Sequence, residues 1–324
     1  MPVLGIESSA HTLGVGIVHN GKVLANERNM YHITDKGIIP SKVSDFHANN
    51  VKSTILAALK SSKLGLDDID AVGYTKGPGL GGCLQIGYIA ARSLSERLNV
   101  PLFPINHGVA HIEITKTLFG MKDPLALYVS GGNSQILGLV DKPYRHYHIY
   151  GETFDVGVGN MLDTFARAAK LNPAWGSTVA KVATGGKYLE MPYTVKGMDF
   201  TFTGLLTNAI DMLGKNSVKD VSYSLQETAF SMLCEATERA LFLTGKSELL
   251  LCGGVAQSER LKEMLKLIAN SHKTKFGVAP NQFNADNGAM IAIVAEKLFK
   301  SGVKISPAEY TVNQKYRIDS TMVT

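Results

Sequence analysis

Cysteine is scarce in this chain: three among 324 residues. Cys83, Cys234 and Cys252 are scattered, with no CxxC spacing. That excludes a disulfide framework and a cysteine-type zinc site, and suits a reducing compartment. Charge is modest as well, at 19% of residues with a net of +5. This permits a polyanionic partner such as RNA without demanding one. No apolar run approaches the length of a membrane span. The N-terminus, Met1–Glu7, has neither a basic n-region nor a long apolar stretch, so no signal peptide is expected and a cytoplasmic location is. None of the three glycine loops that follow strands ends in the Gly-Lys-Ser/Thr of a Walker motif, and Gly108 after His107 excludes the His-Glu-x-x-His of a metalloprotease.

Glycine, by contrast, is abundant at 32 residues, and 45% of the chain is hydrophobic. The length predicts two domains or two lobes of one fold. The two halves open alike. Val3–Ile6, a turn at Glu7–Thr12, Leu13–Val18, a turn at His19–Lys22 and Val23–Ala25 read as strand, turn, strand, turn, strand. Leu125–Val129, Ser130–Ser134, Gln135–Val140, Asp141–Pro143 and Tyr147–Tyr150 repeat the pattern. Asn20-Gly21 signals a two-residue hairpin. Helices are expected at Ser41–Ser62, Leu84–Leu98, Gly159–Lys170, Asp220–Leu243, Ser258–Ala269 and Asn287–Lys300, with buried strands at Ile69–Thr75 and Leu249–Cys252. Alternation of this kind predicts α/β layers in two similar lobes with a cleft between them. The expected boundary falls near Met121–Pro124, giving lobes 1–124 and 125–299, with 300–324 packing back on the first.

His107 and His111 stand four residues apart, directly after the apolar strand Pro101–Ile105. On a helix they share a face, where two imidazoles can grip one metal ion or simply face solvent. Asp286, at the start of the last helix, is either an N-cap or a third ligand. Two histidines and a carboxylate form an open-sided set that suits iron or zinc. Three glycine loops follow strands: Ser130-Gly131-Gly132-Asn133-Ser134, Lys76–Gly82 and Cys252-Gly253-Gly254-Val255. Each can cradle an anion or nucleotide, or be an ordinary tight turn. Asp163, on its helix, can accept both hydroxyls of a ribose or be a solvated carboxylate.

Several long segments together resemble the universal tRNA threonylcarbamoyladenosine transferase family. They are His107-x3-His111, Tyr128-Val129-Ser130-Gly131-Gly132-Asn133, Gly151-Glu152-Thr153 through Asp163, Met198–Leu205, Gln226–Phe230 and Asp286–Ala292. The likeness runs from Leu4 to about Lys315. Ile6–Thr12 and Gln314–Arg317 look like the archaeal and eukaryotic branch, the catalytic subunit of the KEOPS complex. The resemblance implies an actin-like ATPase-superfamily (ASKHA) fold with duplicated ribonuclease H-like lobes. It implies an iron or zinc ion on His107, His111 and Asp286, with Tyr128 as a further ligand. It implies transfer of threonylcarbamoyl from threonylcarbamoyl-AMP to the exocyclic amine of adenosine 37 in tRNAs reading ANN codons, with release of AMP. ATP and AMP would be further adenine-nucleotide ligands. Tyr128, Val129, Ser130, Gly131, Gly132 and Asn133 would contact the phosphate or carbamoyl region. Asp163 and Gly176 would hold the ribose, and Gly253 and Gly254 the adenine. Glu7 and His11, in the first loop, are candidate catalytic residues. The implied partners are tRNA, a small atypical kinase subunit and a dimerising subunit, with no membrane.

Two positions depart from the family pattern. Ser258 stands where an amide side chain usually grips the nucleotide, and Ala180 stands where a ribose-binding Glu is usual. These departures raise the alternative of a weak or inactive paralogue serving as a nucleotide-binding scaffold. A kinase or ATP hydrolase of the same fold would carry an Asp in its first phosphate loop, where this chain has Glu7, and would leave the His pair without a role.

Overall fold

The computed structural model describes residues 1–32 and 38–323. In chain order the elements begin β1 Val3–Glu7, β2 Thr12–His19, β3 Lys22–Met30, α1 Pro40–Ser62, β4 Ala71–Gly77, α2 Gly81–Leu98, β5 Leu102–Asn106 and α3 His107–Phe119. Next come β6 Leu125–Val129, β7 Ser134–Val140, β8 His146–Glu152, α4 Val158–Ala168, α5 Gly176–Ala183, β9 Val195–Lys196, β10 Asp199–Phe200, α6 Thr203–Met212 and α7 Val218–Thr244. The last are β11 Glu248–Cys252, α8 Glu259–Ser271, β12 Lys275–Val278, the short α9 Asn281–Asn284 and α10 Gly288–Lys300. No helix among the described residues is long and apolar enough to cross a membrane.

Two five-stranded sheets have the same plan. The first runs β3-β2-β1-β4-β5 and the second β8-β7-β6-β11-β12. In each, the strand that opens the half pairs antiparallel with the next strand and parallel with a later one. The duplicated openings read from the sequence are therefore duplicated sheets. The Asn20-Gly21 turn has φ of 51° and 74°, the left-handed pair that a two-residue hairpin requires.

The chain divides into a first compact unit of 1–118, 140–147 and 285–324, and a second of 119–139 and 148–284. This differs from a division at 124/125: α10 belongs with the first sheet, not the second. The reason is a glycine-lined sheet face. A Cβ on Gly5 would lie 2.3 Å from the Ala292 nitrogen, and one on Gly16 2.2 Å from that of Ala289. Gly5 pairs with Gly16 across the ladder, so one flat face takes the α10 backbone directly. Such a long-range fit leaves no local mark in the sequence.

The second unit has an apolar core around Phe165, Phe202, Phe230 and Leu251. Its helix α7 starts on an N-cap at Ser217, which accepts from the Asp220 N–H. The sequence pattern does not announce α5, α6, β12, or the still shorter β9, β10 and α9. All are short, and the periodicity signal weakens as an element shortens.

Candidate functional site

Of the metal-binding candidates, His107, His111 and Asp286 lie in the first unit and Tyr128 in the second. Strand β5 ends at Asn106, whose Oδ1 accepts from the N–H groups of Gly108 at 2.9 Å and Val109 at 3.2 Å. That caps α3 and fixes its start, so His107 and His111 point from one face. The Asn106 amide donates in turn to the carbonyls of Tyr316 and Arg317. Asn106 was not singled out in the sequence, although an Asn directly ahead of a helix is a recognisable cap signal.

The two imidazoles are buried, with ring centres 4.7 Å apart and planes at 87°. A solvated histidine face is thereby excluded. Asp286 sits just ahead of α10. Its Oδ1 lies 3.3 Å from Nε2 of His111 and 3.5 Å from Nε2 of His107. The N-cap of α10 is the next residue, Asn287, which accepts from the Met290 N–H at 3.0 Å. Asp286 is thus not the cap, and its carboxylate faces the histidines.

One donor atom from each of His107, His111 and Asp286 lies within 4.8 Å of the others. Bonds of about 2.1 Å in a tetrahedron separate neighbouring donors by roughly 3.4 Å. The donor separations around Asp286 match that spacing, and the nitrogen and oxygen donors suit zinc or iron.

Glu7 is fully buried at the end of β1. It accepts from the Ser9 N–H at 2.6 Å, the Thr75 hydroxyl at 2.7 Å and Nδ1 of His107 at 3.0 Å. A carboxylate on Nδ1 keeps a proton there, so Nε2, which faces Asp286, is the nitrogen that would bind a metal, the usual arrangement behind a ligating histidine. Glu7 therefore touches a ligand side chain. A hydrogen bond spanning 100 residues could not be read from the sequence.

Electrostatics follow from this packing. Burial pushes the Glu7 carboxyl up, but the charge and hydrogen bond of His107 outweigh it and hold Glu7 below its ordinary value. Burial disfavours charge on His107, yet Glu7 and Asp286 raise it to about 9. Burial holds His111 below the ordinary histidine value despite Asp286. Asp286 is held well below the carboxylate range: burial opposes this, while His107 and His111 dominate and His11 adds to them. His11 itself is half-buried in the loop after β1, and its carbonyl accepts from the Tyr31 N–H.

The other candidates lie in the second unit. Tyr128 and Val129 are buried on β6. Ser130 to Asn133 close a tight turn: the Ser130 N–H donates to the Asn133 carbonyl at 2.7 Å and the Asn133 N–H to the Ser130 hydroxyl at 3.0 Å. α4 starts against this turn, through Gly159 N–H to the Ser130 carbonyl and Asn160 N–H to that of Gly131. A Cβ on Gly131 would come within 2.9 Å of the Asn160 side chain, whereas one on Gly132 would meet nothing within 4 Å. Gly253 has φ of 95° and lies so close to β6 that a Cβ would be 2.3 Å from the Val129 carbonyl; Gly254 faces open space. The 130–133 and 253–254 loops are therefore neighbours within this unit.

Asp163 and Gly176 are brought together, for Asp163 Oδ1 accepts from the Gly176 N–H at 2.7 Å. Ala180 is half-buried on α5. Ser258 caps α8, accepting from the Leu261 N–H.

The third glycine loop, Lys76–Gly82, is a packed turn and not a ligand cradle. The Gly79 N–H donates to the Gln314 carbonyl, the Leu80 N–H to that of Ser9, and the Asn313 N–H to that of Lys76. Residues 313–316 fill the space that a ligand would need, with Lys76 Nζ 5.2 Å from the Tyr316 ring centre.

Residues 22–293 match the family model described as TsaD: tRNA N6-adenosine threonylcarbamoyltransferase. A Thermococcus sibiricus protein named tRNA N6-adenosine threonylcarbamoyltransferase is 47% identical over 327 residues, covering 100% of both chains. A Thermoplasma volcanium protein named as a probable bifunctional tRNA threonylcarbamoyladenosine biosynthesis protein is 42% identical. This chain matches it over 98% of its own length but spans only 60% of that protein. Among solved structures, HypF from T. kodakarensis shares the fold at a TM-score of 0.65 and 15% identity, covering 93% of this chain and 48% of that one.

Proposed function

Since the chain belongs to the tRNA N6-adenosine threonylcarbamoyltransferase family, we propose that it works through one iron or zinc ion held by His107, His111 and Asp286. We take the donor to be threonylcarbamoyl-AMP and the acceptor to be the exocyclic amine of adenosine 37 in tRNAs reading ANN codons. The observation that carries this reading is the convergence of the two Nε2 atoms on Asp286 Oδ1 at 3.3 and 3.5 Å.

In the reaction the amine nitrogen forms a bond to the carbamoyl carbonyl carbon. The bond from that carbon to the phosphate oxygen breaks, AMP departs and the amine loses a proton. An adenine amine is a poor nucleophile but AMP is a good leaving group from the acyl phosphate, so catalysis rests on positioning and charge stabilisation. When bound, the metal would polarise the carbonyl oxygen and orient the threonylcarbamoyl group. Glu7 holds the Nδ1 proton of His107 and so fixes the direction of its Nε2 lone pair. Tyr128, through its phenol, is a candidate fourth ligand. The 130–133 and 253–254 loops would take phosphate and adenine at their open glycines, and the Asp163–Gly176 pair the ribose. His11 is the candidate group for handling the amine proton. The site of action would be cytoplasmic.

We take the partners to be tRNA, a small kinase subunit and a dimerising subunit in a KEOPS-type complex. The test is Zn²⁺ or Fe²⁺ content together with transfer from threonylcarbamoyl-AMP to unmodified tRNA. His107→Ala and His111→Ala should each lose the metal and the transfer while keeping the native circular dichroism spectrum. Full metal occupancy in both would overturn the ligand assignment. Equal turnover by the isolated chain and the reconstituted complex would overturn the partner reading.

A further inference from the structure

We infer that Glu113 is a positioning residue for the metal site: it locks the roll of α3 against α10 and so keeps His107 and His111 aimed at Asp286. The inference rests on the ligand set proposed above.

Glu113 is a buried carboxylate on α3. Its Oε2 accepts from Lys297 of α10 at 2.5 Å, and its Oε1 from Lys116 at 3.1 Å and from the Tyr147 hydroxyl. It lies two residues beyond His111. At 3.6 residues per turn that places it roughly 120–160° around the helix from the two histidines. It therefore anchors α3 from behind the ligand face. The same two segments also meet where His107 and His111 approach Asp286, at the other end of α10.

Helix roll matters because the imidazole nitrogens stand far from the helix axis. A roll of about 10° carries an atom about 6 Å from the axis through about 1 Å. Metal–ligand distances tolerate only about 0.2 Å. A buried carboxylate with two ammonium partners and a phenol is a stiff anchor, since leaving any member unpaired in the interior is costly.

Glu296 provides the control. It is equally buried, sits next to Lys297 on α10, and accepts from the Asn20 and Gly21 N–H groups at 2.5 and 2.8 Å and from Lys300 at 3.2 Å. It pins α10 to the β2–β3 hairpin and not to α3.

The experiment is competition between the full-length protein and a chromogenic chelator for Zn²⁺ at 25 °C, with unfolding curves for every variant. Glu113→Gln should weaken Zn²⁺ binding by about tenfold or more, within the range that outer-sphere partners of ligands carry. Lys297→Met should weaken it in the same direction and Lys297→Arg should restore it. Glu296→Gln should stay within about twofold of the parent even where its loss of stability is as large. If Glu113→Gln does not fold, Lys297→Met carries the test, since Glu113 then keeps Lys116 and Tyr147. Unchanged affinity in Glu113→Gln and Lys297→Met, or equal weakening in Glu296→Gln, would overturn the positioning role. Failure of the parent protein to bind Zn²⁺ or Fe²⁺ would overturn the ligand set beneath it.

Discussion

The two units share a sheet plan but bury different chemistry. Among the described residues, every buried acidic or basic side chain lies in the first: Glu7, His47, His107, His111, Glu113, Lys116, His146 and Glu296. The buried polar residues of the second are neutral, such as Ser134, Ser222, Gln226 and Asn284. Glycines diverge in the same way. In the first sheet they are filled by the α10 backbone, whereas Gly132 and Gly254 of the second face open space. One topology has thus been turned to two ends. The first unit fixes charged donors in place, and the second leaves backbone bare at Gly132 and Gly254.

The glycine contrast is the easiest to break. Gly16→Ala should cost about 3 kcal/mol or more, because the added methyl meets backbone that cannot give. Gly132→Ala should stay within about 0.5–1 kcal/mol, as an exposed change does, and should register instead as weaker adenine-nucleotide binding. Urea denaturation of both variants, with calorimetric titration of AMP into Gly132→Ala, checks the pair.

The charge contrast predicts where acid acts first. His47 is fully buried on α1, and burial above all pushes it down to about 4, with the Glu7 charge opposing. A histidine lowered in the folded state binds fewer protons there than in the unfolded chain. Its contribution is therefore complete above about pH 6.5 and lost as the pH falls towards 4. At about 1.4 kcal/mol per unit the loss is on the order of 2–3 kcal/mol. The lowered carboxyls Glu7 and Glu113 add losses in the same direction below about pH 4.5. Hydrogen exchange at pH 4.5 against pH 7 should show β1, β2 and α1 losing protection before β6 and β11. His47→Leu should flatten the stability slope between pH 4.5 and 6.5, and an unchanged slope would remove His47 from this account.

A smaller effect sharpens the metal side. Glu7→Gln keeps the size of the side chain but loses the charge that selects the His107 tautomer. It should weaken Zn²⁺ binding by about 10–100-fold, read by chelator competition.

Much of the fold was legible in the sequence because it is written locally. Alternating hydrophobic runs gave both strand triplets and the long helices, and Asn20-Gly21 gave its hairpin. The i, i+4 spacing placed His107 and His111 on one face. What escaped was long-range. Nothing near Glu7 announces that it serves His107, nothing near Gly5 that α10 will lie on it, and nothing near Gly79 that Gln314 will occupy its N–H. Asp286 could be read two ways until Asn287 proved to be the cap.

The smallest effect concerns the nucleotide. Ser258 already spends its hydroxyl as the cap of α8, and Ala180 offers no polar group. Ala180→Glu with Ser258→Asn should tighten adenine-nucleotide binding by roughly tenfold, since each restored hydrogen bond is worth about 0.5–1.5 kcal/mol. Asn is also a good N-cap, so α8 should be undisturbed. Calorimetric titration decides it: no tightening would mean that other residues hold the nucleotide.

The glycine-lined face of the first sheet has a consequence for synthesis. Its strands are complete once the ribosome has passed Asn106, but the helix that covers them begins only at Gly288. At about 5–20 residues per second, the gap between them takes roughly 10–40 s to translate. For that time the nascent sheet lacks the α10 cover on this face, while the rest of the second unit, 148–284, emerges. Asp286 arrives with the same late segment, so the chain acquires its candidate third ligand and the lid of its first core in one step.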